Sequence, residues 1–360
     1  MKKTLNSEMI VLAREFRNLT QEQLARKLFV SQATVAKIEG DLYGELQEQL
    51  IDRIAKALEF PSQFFFQNEE RLGFGSSAFF YRKREKITAS DRKRISSTVN
   101  LVRINLKRLL SMVDLQSNKT LPFYEIESFG GKASNVAAAV RSFWGLPDGP
   151  IRNITALIES AGILVVPCDF GTRFFDGTSL NLNDMPPLIF INKDLPGDRW
   201  RFTLAHELAH LVMHDVPRES MENEADEFAA EFLMPGDELR AQFSRMRKIR
   251  LQELSNLKPY WKVSIASLIM RASTLGFLTK NQARYLWMQM SKAGYKLKEP
   301  NEFPRESVAN YANLFGYFKE TLGFGVDELA KLTLVHRQAF ESLHQWSCAL
   351  GPTRHLRIVQ

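Results

Sequence analysis

The segment around residues 199–213 carries two histidines and a glutamate at a spacing suited to metal chemistry. His206, Glu207 and His210 form the pattern H-E-x-x-H. Residues four apart lie on one face of a helix, so both imidazoles can bind a single metal ion. Glu207 follows the first histidine, where its carboxylate can hold a water molecule beside the metal and take its proton. The pattern therefore predicts a Zn2+ site on a helix running from about residue 199 to 213.

A catalytic zinc site needs a third protein ligand and leaves its fourth position to water. Four side chains soon after the H-E-x-x-H pattern could supply that ligand: Glu222, Glu224, Glu227 and His214. Glu222 and Asp226 stand four apart, which suits a zinc-binding glutamate followed by an aspartate that orients a ligand histidine. Glu224 would point away from Glu222 into solvent. We expect His214 to act as a helix cap or core residue, since three ligands along one helix cannot easily reach one ion.

These residues lie in two segments, 201–214 and 222–235, that resemble the ImmA/IrrE family of metallopeptidases. The likeness runs from about residue 151 to 235 and continues more weakly to 272. Members of the family typically cleave a repressor protein and so release transcription, which implies a repressor-type protein as substrate. The resemblance also implies that His206, His210 and Glu222 bind zinc. It implies that Glu207 is the catalytic base.

A second pattern, near the N terminus, is typical of a helix-turn-helix. Thr20 begins one helix with Gln23 three residues later, which forms a capping box. Ser31 caps the next helix, whose apolar side chains Val35 and Ile38 face inward. Four side chains of that second helix then face outward, where a recognition helix meets base edges and phosphates: Gln32, Ala33, Thr34 and Lys37.

Residues 7–66 resemble the Xre/Cro-like repressor fold. The resemblance implies double-stranded operator DNA as a partner, and domains of this kind usually bind as homodimers. It places Gln21 on a phosphate and the outward side chains Gln32, Ala33 and Lys37 in the groove. Phe29 stands where the family usually has glycine, in a turn that favours positive φ. We therefore expect an altered turn, and a helical protein-interaction module of the same fold is the alternative.

Length and composition favour a soluble, cytoplasmic protein of two or three domains. The chain has 360 residues and two cysteines, Cys168 and Cys348, so a disulfide framework is excluded. No apolar run approaches the roughly 18 residues that span a membrane, and the basic start is not followed by a signal-peptide core.

The charge is distributed unevenly along the chain, although its net value is +7. Residues 1–66 hold nine basic and nine acidic side chains, while residues 81–110 hold ten basic and two acidic ones. Residues 151–240 hold seven basic and sixteen acidic side chains, whereas residues 241–360 hold eighteen basic and eight acidic ones. The acidic middle suits a basic protein substrate, or one of the chain's own basic segments docked on it.

The periodicity of apolar residues predicts mainly helices with a short group of strands. We expect helices at 132–144 and 154–160, strands at 163–166, 178–182 and 188–191, and helices after residue 235. Residues 67–90 are predicted to be a linker with aromatic clusters. Residues 91–114 are predicted to form an amphipathic surface helix with a solvated basic face.

The fold class is therefore mainly α, with a small mixed α/β zincin-like peptidase domain between an all-α helix-turn-helix domain and a helical C-terminal region. The expected boundaries are 1–66, 67–114, 115–245 and 246–360. The leading hypothesis is a DNA-binding regulator that cleaves a repressor, or itself. The alternatives are a regulator whose peptidase-like domain senses a metal or ligand without catalysis, and a toxin–antitoxin or phage-immunity component that acts through protein contacts.

Overall fold

The computed structural model describes residues 4–44, 46–73, 87–113 and 117–344. Two features of the sequence lie outside these residues: the middle of the predicted linker, at 74–86, and Cys348. The chain divides into two compact units. Unit 1 takes its described residues from 1–116, 167–175 and 309–360, and unit 2 from 117–166 and 176–308.

The described residues in the first part of unit 1 form four short helices, one 3-10 turn and one long helix. They are α1 (Ser7–Phe16), α2 (Gln21–Leu28), α3 (Gln32–Glu39), α4 (Glu48–Leu58), the 3-10 turn Ser62–Phe66 and α5 (Ala89–Leu110). The predicted caps are present, because the Thr20 hydroxyl accepts from the amide of Gln23 and Ser31 accepts from Thr34.

Unit 2 contains eight helices, two strands and the first three residues of a further strand, β1. They are α6 (Ala133–Phe143), α7 (Ile154–Ser160), β1 (Leu164–Cys168), β2 (Gly177–Leu182), β3 (Met185–Asn192), α8 (Gly197–Met213), α9 (Met221–Leu233), α10 (Gly236–Ser244), α11 (Leu251–Trp261), α12 (Ile265–Thr274) and α13 (Lys280–Lys292). The predicted strands and helices of this region are thus present.

Unit 1 is completed by α14 (Asn310–Glu320), α15 (Val326–Leu332) and α16 (Arg337–His344). The mainly α fold class with a small sheet is confirmed.

Helix α5 is a core helix, so the prediction of a surface helix with a solvated basic face is wrong. All ten residues from 97 to 106 are buried, polar side chains included. Their polar groups find partners far away in sequence: Asn100 exchanges hydrogen bonds with the backbone of Leu72, and Arg103 donates to the carbonyl of Glu70. Burial of these groups is tolerated because they are hydrogen-bonded.

A buried histidine links α5 to the C-terminal helices of unit 1. The side-chain amide of Asn105 lies 3.1 Å from His344 Nε2, and His344 Nδ1 lies 2.6 Å from the Tyr311 hydroxyl. An amide nitrogen can only donate, so Nε2 accepts and Nδ1 carries the proton. His344 is thus held neutral, and burial lowers its pKa to about 3.

The sheet of unit 2 has the order β1-β3-β2, and β2 pairs antiparallel with β3. A Cβ on Gly177 would lie 2.7 Å from the carbonyl oxygen of Phe190 and 3.0 Å from Cγ2 of Thr203 on α8. Glycine at this position lets α8 pack closely on the sheet. Helix α9 covers α8 on another side through its apolar face, as the sequence predicted, with Phe228 and Phe232 fully buried.

Two buried cations fix the N-terminal turns of α8. Lys258 is fully buried, and its Nζ lies 2.6 Å from Asp198 Oδ2 and 2.7 Å from Glu299 Oε2. Arg201 on α8 is paired with Glu306 and is also buried. Residues 299–306 therefore hold the start of α8 through charge pairs whose rupture would cost about 3–5 kcal/mol each.

Among the described residues, no helix combines the length and apolar character needed to cross a membrane.

Candidate metal centre and DNA-binding helix

Helices α8 and α9 bring three ligand-type atoms to one point. His206 and His210 lie one turn apart on α8, and their Nε2 atoms are 3.2 Å apart. Glu222, in the first turn of α9, places one carboxylate oxygen 3.6 Å from His206 Nε2 and the other 3.4 Å from His210 Nε2. The structure therefore brings together the two histidines and the glutamate that the sequence singled out.

The spacing of these atoms fits a tetrahedral zinc ion. Zinc bonds of about 2.0–2.1 Å place the ligand atoms of a tetrahedron about 3.3–3.4 Å apart, close to all three separations. Moreover, Glu222 Oε1 is buried and has no hydrogen-bond partner among the described residues. A buried carboxylate oxygen facing two imidazole nitrogens is satisfied by a cation.

The outer nitrogen of His206 is held by an acidic side chain of α9. His206 Nδ1 lies 2.9 Å from Asp226 Oδ1, as the Glu222–Asp226 spacing predicted. The imidazole donates from Nδ1, so its Nε2 keeps the lone pair that a metal ligand requires. The Asp226 side chain is 62% exposed, which leaves this contact open to solvent.

The outer nitrogen of His210 is held through a second histidine. His210 Nδ1 lies 2.9 Å from His214 Nδ1, and His214 Nε2 lies 2.9 Å from Glu224 Oε2. The nitrogen facing the carboxylate must donate, so His214 Nδ1 accepts from His210 Nδ1 and leaves His210 Nε2 unprotonated. His214 also forms the C-cap of α8, in line with the predicted cap role. The prediction that Glu224 is solvated is wrong, because a bend after α8 brings His214 to it.

The electrostatics of the cluster favour positive charge at its centre. Although burial disfavours the charged form of His206, the hydrogen bond to Asp226 and the nearby carboxylate of Glu222 raise its pKa to about 10. Burial alone would raise the pKa of Glu222, but the adjacent imidazoles of His206 and His210 hold it well below its usual range. A metal ion would displace the proton that these residues otherwise share.

Glu207 is buried beside the cluster and is oriented by a serine of β2. The Ser179 hydroxyl donates to Glu207 Oε2 over 2.9 Å. Edge strand β2 is therefore in direct contact with the carboxylate that the sequence marked as a base. Sequence reasoning missed Ser179: the alternation at 178–182 predicted the strand, but no signal predicted which of its side chains meets α8.

The helix-turn-helix arranges its predicted contact residues on one exposed surface. Gln32, Ala33 and Lys37 are exposed on α3, Ser31 is exposed at its N-cap, and Thr34 is partly exposed. Gln21 is held in place, because its amide donates to Glu39 and its oxygen accepts from Gln32, each over 2.8 Å. The glutamines at the start of α2 and α3 are thus linked directly to each other.

The turn between α2 and α3 keeps its usual shape despite Phe29. This residue has φ 52° and ψ 44°, the left-handed conformation that glycine adopts most easily, and it is 90% exposed. The expectation of an altered turn is therefore wrong. The backbone keeps its conformation at the expense of local strain of about 1–2 kcal/mol.

Comparison with known protein families identifies both domains. Residues 158–273 match the family model of the IrrE N-terminal-like domain, which belongs to the peptidases. Residues 10–65 match the helix-turn-helix family model. The chain therefore carries a DNA-binding helix-turn-helix domain followed by an IrrE/ImmA-like peptidase-family domain. No curated protein matches the chain.

Proposed function

We propose that this protein is a transcription regulator that binds operator DNA through α3 and hydrolyses a peptide bond of a repressor-type protein in unit 2. The observation that carries the proposal is the convergence of His206, His210 and Glu222 beside the buried carboxylate of Glu207. A site that served only to bind metal would not require an acidic side chain held at this position.

The donor set suits zinc, because two imidazole nitrogens and one carboxylate oxygen are the protein ligands of catalytic zinc sites, in which water is the fourth ligand. The residues that would hold it are His206, His210 and Glu222. When bound, zinc polarises the scissile carbonyl group and lowers the pKa of water toward about 7.

The work of proton transfer falls to Glu207. Its carboxylate takes the proton from the attacking water and passes it to the amine that leaves. The hydroxyl of Ser179 donates a hydrogen bond to one oxygen of the Glu207 carboxylate. This contact fixes the orientation of the carboxylate, and with it the position of its other oxygen. Because Glu207 is buried, the carboxylate has few alternative positions, which favours a fixed distance to the reacting water.

The charge of the domain supports a basic protein as substrate. Residues 151–240 carry sixteen acidic and seven basic side chains. An acidic surface attracts basic segments and repels acidic ones, and DNA-binding repressors are rich in lysine and arginine. The chain's own basic segments are the alternative target, which would make cleavage intramolecular.

The test separates metal binding from catalysis. Purified protein is expected to contain about one zinc per chain, and Glu207→Gln to keep that zinc while losing cleavage of a proteome-derived peptide library, read as new N termini by mass spectrometry. Glu227→Gln is the matched control, since Glu227 lies on α9 and accepts from the amide of Ser134 instead of facing the cluster.

Each outcome bears on a different part of the proposal. If Glu207→Gln cleaves as fast as the parent, the base assignment fails. If the parent binds zinc and cleaves neither the library nor itself, the protein is a metal-binding regulator without peptidase activity. Absence of zinc in the parent, with intact folding, would contradict the metal site.

A further inference from the structure

A second candidate site lies in unit 2, outside the metal centre. It is an open cleft of about 940 Å³ between the loop at 245–250, the end of α10 and the exposed face of α13. A cleft of this size is within the range of small-molecule and cofactor sites.

The cleft is lined by four cationic side chains: Arg247, Lys248, Arg250 and Lys292. No carboxylate is among the described residues that line it. Nor has any of the four an ion-pair partner in the part of the chain that the structure describes. Four unpaired cations around one concave surface repel one another and attract an anion.

The charge of the surrounding segment makes this arrangement stand out. Residues 245–298 contain twelve basic side chains and one acidic side chain, Glu253. Lys258 and Arg271 are neutralised by half-buried carboxylates, whereas the cations of the cleft are exposed. Four of the twelve basic side chains of this segment therefore line one cleft.

The remaining lining residues suit a planar, hydrogen-bonding ligand. Tyr285 on α13 is 57% exposed and offers a ring face, and Phe277 lies partly exposed nearby. Asn281 and Gln289 add side-chain amides on the same wall. A nucleotide can use all three features, since its phosphates attract the cations, its base can stack on the ring and its base edges can bond to the amides.

We propose that this cleft binds nucleotides, with their phosphates on Arg247, Lys248, Arg250 and Lys292 and a base stacked on Tyr285. The arginines can hold phosphate oxygens with two parallel hydrogen bonds, and the lysines act as point charges. The same chemistry is presented by a free nucleoside polyphosphate and by a single strand of nucleic acid. The site is separate from α3 and does not depend on the proposed peptidase activity.

The experiment uses the full chain with Gln32→Ala and Lys37→Ala, which removes the contribution of α3. Binding is measured by fluorescence anisotropy with labelled ATP and with a labelled 15-nucleotide thymidine strand. Lys248→Ala with Arg250→Ala is expected to weaken binding at least tenfold, and to lower the salt dependence for the strand by about 1.4 in log–log slope. Lys280→Ala with Lys296→Ala is the matched control, since both lysines are exposed in the same segment and line no part of the cleft.

A second pair of variants tests the base. Tyr285→Ala is expected to weaken binding about tenfold, whereas Tyr285→Phe keeps the ring and most of the affinity. Binding of ATP alone would identify a free nucleotide, and binding of the strand alone would identify single-stranded nucleic acid; both support the proposal. It is overturned if neither probe binds, if the cleft variants bind like the control, or if polyglutamate competes as well as the nucleotides.

Discussion

His214 donates from Nε2 to Glu224 Oε2 across 2.9 Å and accepts at Nδ1 from His210, so the two histidines have fixed tautomers. The His214 side chain is fully buried and that of Glu224 is 17% exposed. Burial and the neighbouring His210 lower the pKa of His214 to about 4, which favours the neutral ring that this arrangement needs. The Glu224 carboxylate thereby orients His210, a candidate metal ligand, through His214.

Removal of the Glu224 carboxylate is expected to weaken zinc binding. Glu224→Ala removes the acceptor of His214, so the His210 ring loses its fixed orientation, and zinc affinity should fall about 10–100-fold. Glu224→Gln keeps an acceptor oxygen and should cause a smaller loss. Zinc affinity is measured by competition with a chromophoric chelator. Equal affinity in Glu224→Ala and Glu227→Ala would show that the hydrogen bonds from His210 through His214 to Glu224 do not support zinc binding.

The strained turn before α3 predicts a stabilising substitution. Phe29→Gly should raise the free energy of unfolding by about 1 kcal/mol, because the left-handed conformation is easily adopted by glycine and the exposed ring contributes little burial. Phe29→Ala is the control, since it removes the ring and keeps the Cβ. Urea denaturation followed by circular dichroism provides the measurement; a gain in both variants would mean that the ring, and not the backbone, is the source of strain.

The exposed surface of α3 predicts the effect of substitutions on DNA binding. Gln32→Ala with Lys37→Ala should abolish binding to double-stranded DNA selected from a random pool by the parent protein, because it removes two of the side chains expected to lie in the groove. Lys56→Ala, which removes an exposed charge from α4, should bind as the parent does. Gel-shift titration at moderate salt distinguishes the two, and undiminished binding by the double variant would exclude α3 as the recognition helix.

The buried His344 predicts a dependence of stability on pH. Its folded pKa of about 3 lies below the usual value of 6.5 for the unfolded chain, so the unfolded state takes up the proton first as pH falls. Its contribution is therefore intact above pH 6.5 and is lost on acidification, by about 2 kcal/mol between pH 7 and pH 5.

Urea denaturation at the two pH values should show that His344→Gln loses less stability on acidification than the parent does. The matched control is His336→Gln, in which the replaced histidine is exposed. An identical loss in His344→Gln and the parent would show that His344 already titrates normally in the folded protein.

Local patterns predicted much of the fold and of the site. The spacing of His206, Glu207 and His210 depends only on the helical repeat, and the strands at 177–192 follow from alternation along a few residues. The pairing of Glu222 with Asp226 is also a property of one helix. Each of these features is decided within a single element, which is why the sequence reveals it.

The features that the sequence did not reveal depend on how elements meet. Ser179 reaches Glu207 only because β2 packs against α8 in one register, and Glu224 meets His214 only after the chain bends between α8 and α9. The burial of α5 depends on partners for Asn100 and Asn105 at residues 72 and 344. Apolar periodicity cannot predict a buried polar side chain whose partner is distant in the chain.

The charge pairs at the start of α8 limit how the peptidase domain can be isolated. The family match ends at residue 273, yet Glu299 and Glu306, which neutralise Lys258 and Arg201, lie beyond it. A fragment cut at residue 273 would leave the buried Arg201 without its counter-ion, and Lys258 with Asp198 as its one remaining partner, at the start of α8. The smallest autonomous form of the domain must therefore extend past Glu306, well into sequence that the family pattern does not cover.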